Sequence, residues 1–415
     1  MARLLLLSNG HGEDLSGALL GQALLKQGHQ VDALPLVGSG QPYRDSQIAV
    51  VVSTREFSTG GLGYTSLRGR LTELIQGQVL HLLQALMRLL RIRRRYDLVV
   101  VIGDVIPVMA AWLCARPVAT YLVAYSSHYE GRLNLPWPCG ACLASERFRA
   151  VFSRDLLTAE DLSAQLGRPV QFVGNPFMDP VLAPAPALPA QALPARRRRL
   201  ALLPGSRRPE LEHNLLLLLR AVEALPAPLF STGELAVDLA LIRSLSDQSL
   251  EALVAPKGWQ LQPANSSAGE LARLVNGPRQ VLVHRGAFAA VVQNANLVLA
   301  MAGTATEQAV GLAKPVVQMA GAGPQFTASF AEAQRRLLGP TVFCAEGESG
   351  EQATVLATAR LVLDLLERSV QDQQLQRLCR QQADKRLGSM GGAEQMATAI
   401  SALLTSTPSI VPQQP

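Results

Sequence analysis

The stretch NLVLAMAGTATEQAVGLAKPVVQM, residues 296–319, holds a complete strand–loop–helix–strand unit. Its apolar run 297–300 predicts a buried parallel strand, and the small residues 302–306 predict a turn at the carboxyl end of that strand. Glu307 opens a helical pattern, which Lys314 and Pro315 end before the next strand begins. This unit predicts an α/β protein with a parallel sheet.

The loop at residues 302–306 is a candidate ligand site. Ligands of open parallel sheets bind at the carboxyl ends of the strands, and a helix start offers unpaired N–H groups that suit a phosphate. Glu307 in the first turn could accept both hydroxyls of a ribose. However, Thr304 and Glu307 also fit a Ser/Thr-x-x-Glu capping box, which only closes a helix end. A nucleotide site and a helix cap are therefore both open.

Length and composition bound the kind of protein. The chain has 415 residues, with 38 Lys and Arg against 32 Asp and Glu. This length predicts two domains, and the mild basic excess predicts an anionic partner such as a phosphate or an acidic lipid. Arginine clusters are few and lack interleaved aromatic residues, so no nucleic acid partner is expected. Five scattered cysteines and no convincing secretory signal predict a cytoplasmic protein.

The first half of the chain begins with a strand and a glycine-containing loop. The buried strand 4–7 enters the loop SNGHGED, residues 8–14, and a helix follows. A dinucleotide fingerprint would need glycine where this chain has Leu15, so an NAD site is not expected. A second buried strand, 98–102, ends at Asp104, which either caps the next helix or faces a ligand.

A basic helix is predicted between these two strands. Apolar residues recur at helical spacing over 71–90 and are followed by arginines at 91 and 93–95. One interpretation is a core-facing helix whose dipole favours cations at its end. The other is a basic amphipathic surface that binds an anionic membrane, beside a glycine-rich loop at 58–69.

The composition changes at LAPAPALPAQALP, residues 182–194, which predicts a semi-rigid linker. Strand and helix patterns then resume. The predicted organisation is an N-terminal domain at 1–181, a linker at 182–199, a C-terminal domain at 200–385, a closing helix at 386–407 and a tail at 408–415.

This two-lobed layout resembles the GT-B glycosyltransferases, and four motifs make the likeness more specific. LLPGSRRPE, residues 202–210, resembles the L-P-G-S-R-x-x-E element of lipid-A-disaccharide synthases, and GTATE, residues 303–307, is similar to their S-G-T-A-T-x-E element. GNPFMD, residues 174–179, is similar to their G-H-P-x-x-D, with Asn175 in place of the histidine. GEDLSG, residues 12–17, is a looser match to G-E-x-S-G-D. The likeness spans most of the chain in the same order.

The resemblance implies two Rossmann-like, doubly wound parallel-sheet lobes with a cleft between them. It implies inverting, metal-independent transfer of a sugar from a nucleotide-sugar, a UDP-sugar, to a lipid or lipid-linked acceptor, without a cofactor. Such an enzyme would act in lipid A biosynthesis, peripherally at the inner face of a membrane. The implied nucleotide-sugar site consists of Gly205, Ser206, Arg207, Gly303, Thr304, Thr306, Glu307 and Gln325.

The base that accepts the acceptor's proton is expected in the N-terminal lobe, opposite the leaving diphosphate. Asp104 ranks first, Glu13 second, and His11 is a third candidate. The family's G-x-D-x-P-D-F-N stretch has two aspartates, whereas this chain keeps Asp104 and has Val108 at the second position. Val108 makes a non-catalytic nucleotide- or lipid-binding scaffold an alternative, and a UDP-sugar epimerase of the same fold is another.

Overall fold

The chain folds as two compact units. The computed structural model describes residues 1–52, 54, 78–129, 131–186, 188, 198–264, 271–321 and 328–405. Unit 1 comprises Met1–Asp179 with Gly388–Pro415, and unit 2 comprises Pro180–Leu387. The predicted 182–199 linker is shorter than expected, because Arg198 and Arg199 already belong to a strand.

Unit 1 is built on a parallel sheet. Its described strands are β1 Arg3–Ser8, β2 Gln30–Pro35, β3 Ala49–Val50, β4 Leu98–Ile102, β5 Val118–Leu122 and β6 Phe148–Ser153. They lie in the order β3-β2-β1-β4-β5-β6 and pair in parallel. Strand β4 is buried along its whole length, which its unbroken apolar sequence requires. Because the order reverses between β1 and β4, their carboxyl ends form a topological switch point.

Helices cover both faces of this sheet. The described helices are α1 His11–Lys26, α2 Gln41–Asp45, α3 Gln78–Ile92, α4 Val105–Leu113, α5 Cys139–Ala144, α6 Leu156–Leu166 and, after unit 2, α16 Gly392–Thr405; a single turn, α7 Asp179–Leu182, lies where the chain passes from unit 1 to unit 2. Leu5 and Leu7 of β1 join a core with α3, α4 and α5. Leu4 and Leu6 face the opposite core, which α1 and α16 complete. The alternating side chains of one strand thus anchor both helix layers.

Two sequence predictions for unit 1 need comment. The pattern at 171–173 also predicts a short strand, but in the structure only Gln171 makes an isolated bridge, to Phe152. The basic helix is described only from Gln78 onward, so residues 71–77 of the stripe and the glycine-rich loop at 58–69 lie outside the described residues. None of the helices in the described part of the chain has the length and apolar character to cross a membrane.

The GNPFMD motif holds α16 in unit 1. The Asp179 carboxylate accepts the N–H groups of Gly391, Gly392 and Ala393, at 2.7, 3.2 and 3.0 Å. A Cβ on Gly174 would lie 2.8 Å from the carbonyl oxygen of Ser389, so only glycine allows this close approach. The closing helix predicted within 386–407 is α16, which begins at Gly392 after the preceding helix ends at Arg386.

Asn175, which stands where the family motif has histidine, is a structural residue. It is fully buried, and its Nδ2 donates to the carbonyl oxygen of Arg154 at 2.8 Å. Its Oδ1 accepts the hydroxyl of Tyr121. The side chain thus joins the segment before α7 to strands β5 and β6, inside unit 1.

We expect Asp179→Ala to lower the free energy of unfolding of unit 1 by about 2 kcal/mol, because three helix N–H groups lose an anionic acceptor. Urea unfolding followed by tryptophan fluorescence measures this change. Asp372→Ala is the matched control, since the Asp372 carboxylate caps α15 in unit 2 by accepting two helix N–H groups. An unchanged unit 1 transition in Asp179→Ala would contradict the assigned role.

Unit 2 contains a mixed sheet. Its described strands are β7 Arg198–Leu203, β8 Leu235–Leu241, β9 Gln260–Ala264, β10 Leu271–Asn276, β11 Arg279–Arg285, β12 Leu297–Ala300, β13 Val316–Gln318 and β14 Val342–Cys344. The order is β14-β13-β12-β7-β8-β11-β10-β9, and among these described strands the pairs β9–β10 and β10–β11 are antiparallel while the other pairs are parallel. The strand order reverses between β7 and β12, which gives unit 2 its own switch point.

The helices of unit 2 follow the strands in the same alternating way. They are α8 Glu210–Glu223, α9 Pro228–Ser231, α10 Asp247–Val254, α11 Phe288–Asn294, α12 Thr304–Gly311, α13 Ala328–Leu338, α14 Gln352–Gln371 and α15 Gln373–Arg386. Helices α8 and α14 bury their apolar faces against Leu200, Leu202 and the neighbouring strands. This core fixes the carboxyl ends of β7 and β12 beside each other.

Candidate functional site

Two predicted ligand loops meet at the switch point of unit 2. Strands β7 and β12 are paired up to Leu203 and Ala300, so the loops that follow them start side by side. Gly205 has a φ of +95°, and a Cβ there would lie 3.2 Å from the carbonyl oxygen of Met301. Glycine therefore allows both the backbone conformation and the close approach of the two loops. The structure therefore places the loop of Gly205 and Ser206 beside the loop of Gly303 and Thr304.

Asn214 ties the two loops together. It projects from α8, is only 3 % exposed, and its Nδ2 donates to the carbonyl oxygens of Pro204 at 3.0 Å and Met301 at 3.2 Å. Asn214 was not among the residues predicted from the sequence. The available signal was a lone amide on the otherwise apolar face of the helix, because a buried amide needs hydrogen-bond partners.

In the loop that follows β12, the carbonyl groups of Ala302 and Gly303 accept hydrogen bonds from the first turn of α12. The carbonyl oxygen of Ala302 accepts the Thr306 hydroxyl at 2.5 Å, and that of Gly303 accepts the N–H groups of Thr306 and Glu307 at 3.0 and 3.3 Å. No described residue accepts a hydrogen bond from the backbone N–H of Gly205, Ser206, Gly303, Thr304 or Ala305. Loops with bonded carbonyls and open N–H groups favour an anion, particularly at a helix start.

The start of α12 bears on the capping-box interpretation of the GTATE motif. Gly303 occupies the cap position without a side-chain cap, and Thr304 is already the first helical residue. The capping box with Thr304 as the cap is therefore not formed. The Thr306 hydroxyl is buried against Ala302, so it shapes the loop, while Glu307 is half-buried in the first turn.

The two loops at 204–206 and 301–305 form a cradle of backbone N–H groups. Arg207 adds positive charge at the edge of this cradle. Its side chain is exposed and pairs with no acid in the described part of the chain, whereas its neighbour Arg208 pairs with Glu212. The N–H of Leu211 donates to the carbonyl oxygen of Arg207 at 2.8 Å, which fixes the backbone at the start of α8. The remaining predicted donor residue, Gln325, lies outside the described residues.

Unit 1 presents a carboxylate at its own switch point. Asp104 follows β4, and the Asn9 amide nitrogen, which follows β1, lies 3.3 Å from both of its carboxylate oxygens. The carboxylate also accepts the N–H of Ile106 at 2.9 Å, so it does cap α4. Burial raises the pKa of Asp104, and the hydrogen bonds from Ile106 and Asn9 oppose that rise. Asp104 thus combines a capping role with a position at the carboxyl ends of the two central strands.

Glu13 lies beside the same edge. Its Oε2 is 2.5 Å from the position that a Cβ on Gly10 would take, and its Cγ is 3.8 Å from the corresponding position on Gly103. The structure therefore brings Glu13 and Asp104 to the ends of the two central strands. His11 is the first residue of α1, and its side chain is outside the described part of the molecule.

Neighbouring residues have structural roles. Asp14 is turned into the unit, where it accepts the Ser8 hydroxyl at 2.6 Å, and burial raises its pKa to about 7. Val108, which stands where the family has its second aspartate, is a residue of α4 whose side chain is buried in the core of unit 1. Sequence analysis also missed Tyr125, whose hydroxyl accepts the N–H of Val105 at 3.0 Å beside Asp104.

Comparison with solved structures identifies the architecture. The calicheamicin glycosyltransferase CalG4 matches with a TM-score of 0.57 and 16 % identity, over 98 % of this chain and 99 % of that chain. The fold is GT-B. The S. aureus MnaA–UDP complex matches with a TM-score of 0.53 and 13 % identity, over 98 % of this chain and 97 % of that chain. The UDP-GlcNAc 2-epimerase from Methanocaldococcus jannaschii gives 0.51 and 13 %, over 96 % and 99 %.

The GT-B fold confirms the predicted class of two Rossmann-like lobes. In sequence, no protein-family model and no curated protein matches the chain. Among the described residues no group of three or more His, Cys, Asp or Glu side chains could hold a metal ion. The assignment of the candidate site residues is based on the geometry at the two switch points.

Proposed function

We propose that this protein is a glycosyltransferase that moves a sugar from a UDP-sugar to a lipid or lipid-linked acceptor, related to the lipid-A-disaccharide synthases. The observation that carries the proposal is the cradle at the switch point of unit 2, where Asn214 joins two loops in which the N–H groups of Gly205, Ser206, Gly303, Thr304 and Ala305 donate to no described residue. The CalG4 match supports a transferase, and the MnaA–UDP complex supports a uridine nucleotide.

The donor half of the reaction follows from the cradle. The N–H groups of Gly205, Ser206, Gly303 and Thr304 would bind the diphosphate, with Arg207 providing a full positive charge. Glu307 would accept the ribose hydroxyls. Negative charge grows on the diphosphate as the sugar leaves, and donors that are already in position stabilise that charge without reorganisation.

The acceptor half rests on Asp104. In an inverting transfer the acceptor hydroxyl attacks the anomeric carbon, the bond to the diphosphate breaks, and the hydroxyl proton passes to a base. A carboxylate with a raised pKa holds a proton better than an ordinary aspartate, so Asp104 suits this role. Glu13, at the same edge, is the second candidate.

The lipid acceptor is supported by an exposed apolar surface on unit 1. Helix α3 exposes Leu80, Leu83, Met87 and Leu90, and helix α4 exposes Ile106, Met109, Trp112 and Leu113. Both helices pack on the same face of the sheet, and Arg93, the residue directly after α3, donates to the carbonyl oxygens of Leu113 and Cys114. We call this set of eight side chains the α3–α4 surface. Exposed apolar surface of this kind marks interaction sites.

Cations border the α3–α4 surface. Arg88, Arg91, Arg94 and Arg95 are exposed along and after α3. Apolar side chains flanked by arginines favour an anionic bilayer surface such as the cytoplasmic leaflet. We therefore place the protein peripherally on such a membrane, where it would meet its acceptor.

Binding to anionic vesicles tests the α3–α4 surface. We expect the protein to sediment with phosphatidylglycerol-containing vesicles at low salt and to be released as salt screens the arginines. Leu83→Gln with Met87→Gln should weaken binding by about tenfold or more, because two apolar side chains no longer enter the lipid. Leu356→Gln on α14, at a similarly exposed position, is the control. Wild-type protein that stays in the supernatant at low salt would contradict the membrane role.

An epimerase is the second candidate function. It is favoured by the match to the M. jannaschii UDP-GlcNAc 2-epimerase, which has the same fold over the whole chain. Such an enzyme would interconvert a UDP-sugar without an acceptor. A transferase would release UDP only when an acceptor is present.

A donor screen followed by product analysis decides among these functions. A nucleotide at a hundred times its Kd stabilises the folded protein by about 2.7 kcal/mol, which thermal unfolding detects. We expect UDP and a UDP-sugar to stabilise the protein, and free UDP to appear only with lipid. Interconversion without lipid would favour the epimerase, and binding without turnover would favour a non-catalytic scaffold.

A further inference from the structure

A chain of two buried amides ends at the donor cradle. Besides the two N–H groups of α12, the carbonyl oxygen of Gly303 is approached by the Nε2 of Gln334 at 3.3 Å. Gln334 projects from α13 and is 5 % exposed. Its Oε1 accepts the Nε2 of Gln318, the last residue of β13, which is also buried.

The orientation of the two amide groups follows from the Gly303 carbonyl oxygen at which this hydrogen-bond series ends. A carbonyl oxygen can only accept, so Gln334 must present its NH2 group to Gly303 and its oxygen to Gln318. Gln318 must then present its own NH2 group to Gln334. The two amides are therefore oriented by Gly303, and each has one defined role.

Burying two amides is costly compared with burying two apolar side chains of the same size. The neighbours of Gln318 along β13, Val317 and Met319, belong to the apolar core of unit 2, whereas Gln318 bonds to Gln334. The common end point of the two amides, Gly303, lies next to the open N–H groups of Thr304 and Ala305. The hydrogen bonds of the two amides therefore lead to the loop at Gly303.

We propose that Gln334 is a positioning residue for the diphosphate cradle and that Gln318 orients it. This inference rests on the proposed nucleotide-binding function. By holding the Gly303 carbonyl inward, Gln334 keeps the peptide that follows it turned with its N–H group outward. The loop is thereby prearranged before a nucleotide binds, which lowers the cost of binding.

Calorimetric titration with UDP and with uridine tests the proposal. Gln334→Met keeps the length of the side chain but removes its hydrogen bonds. We expect it to weaken UDP binding by about tenfold, the effect of one hydrogen bond lost to a charged ligand's loop. Uridine lacks the diphosphate, so its affinity should change by less than about twofold. A general loss of stability would weaken both ligands alike.

Gln293→Met is the matched control. Gln293 is another amide of unit 2 whose Nε2 donates to two backbone carbonyls, those of Val181 and Ala183. It lies on α11, between β11 and β12, and it does not bond to either loop of the cradle. Its loss should cost similar stability and leave UDP affinity unchanged.

A double-mutant cycle tests the serial order of the two amides. Gln318→Met should weaken UDP binding less than Gln334→Met does, because the bond to Gly303 survives. The double variant should match Gln334→Met alone, since Gln318 acts only through Gln334. Additive effects would overturn the orienting role of Gln318.

Amide hydrogen exchange gives a readout that needs no ligand. The N–H groups of Thr306 and Glu307 donate to the same carbonyl oxygen as Gln334. We expect them to exchange faster in Gln334→Met and not in Gln293→Met. Unchanged exchange together with unchanged UDP affinity in Gln334→Met overturns the positioning role alone. Wild-type protein that binds no UDP overturns the proposed function, and the positioning role with it.

Discussion

We expect Asp104→Asn to lower the rate of sugar transfer by about 100-fold or more while UDP affinity stays unchanged, because a general base contributes on this scale. The substitution suits the test. Asparagine is as good a helix cap as aspartate, so the bond from Ile106 to residue 104 can persist and α4 can still form. Only the ability to accept a proton is removed.

The pH profile of transfer gives a second readout of Asp104. The residue must be ionised to act as a base, and its pKa is raised by burial. We therefore expect transfer to fall as the pH decreases through this raised pKa, at a higher pH than for an ordinary aspartate. In Asp104→Asn this acid limb should disappear from the residual activity.

Glu13→Gln is the comparison for both measurements, since Glu13 lies at the same edge but does not cap α4. We expect it to have the smaller effect. Near-normal transfer in both Asp104→Asn and Glu13→Gln would contradict the assignment of the base. A larger loss in Glu13→Gln than in Asp104→Asn would exchange the two roles.

The second large effect concerns the donor. We expect Glu307→Gln and Arg207→Ala each to weaken UDP binding by about 1.5–3 kcal/mol, because each removes a charged hydrogen-bonding partner. Arg207→Ala should also lower the affinity for inorganic pyrophosphate. Glu307→Gln should lower the affinity for uridine, since its partner is the ribose.

Arg208→Ala is the control for this pair of variants. Arg208 is the next residue along the chain, and it already pairs with Glu212 on the surface of α8. Its removal should leave UDP affinity within about twofold, as surface pairs contribute little. UDP affinity that is unchanged in a folded Glu307→Gln protein would reduce Glu307 to a residue of the helix start.

The predictable part of the site consisted of local patterns. A short apolar run followed by glycine places a loop at a strand end, so the loops after β1, β4, β7 and β12 could be found from the sequence. Their pairing could not. Asn214 and Met301 are separated by 87 positions, and only the folded sheet places them in contact. Gln334 was equally invisible, because nothing in its own helix marks the carbonyl of Gly303.

Part of the fold was also missed. Strand β8, LAVDLAL, is almost entirely buried and has a clear apolar pattern, yet Asp238 interrupts it. Strands β9 and β10 pair antiparallel with their neighbours at the edge of a mostly parallel sheet, and no βα rhythm marks them. The role of GNPFMD was hidden for a related reason, since its partners at 391–393 are more than two hundred positions away.

The capping of α16 by Asp179 has a consequence for synthesis on the ribosome. Unit 1 begins with the first strand of the chain, but α16 is made only after all of unit 2. Until then the apolar core that α1 and α16 share lacks the side chains of α16, including Met396 and Ile400. Unit 2, by contrast, is continuous and can complete its core first. The nascent chain therefore carries an incomplete first unit through most of translation, when exposed apolar surface is prone to aggregate.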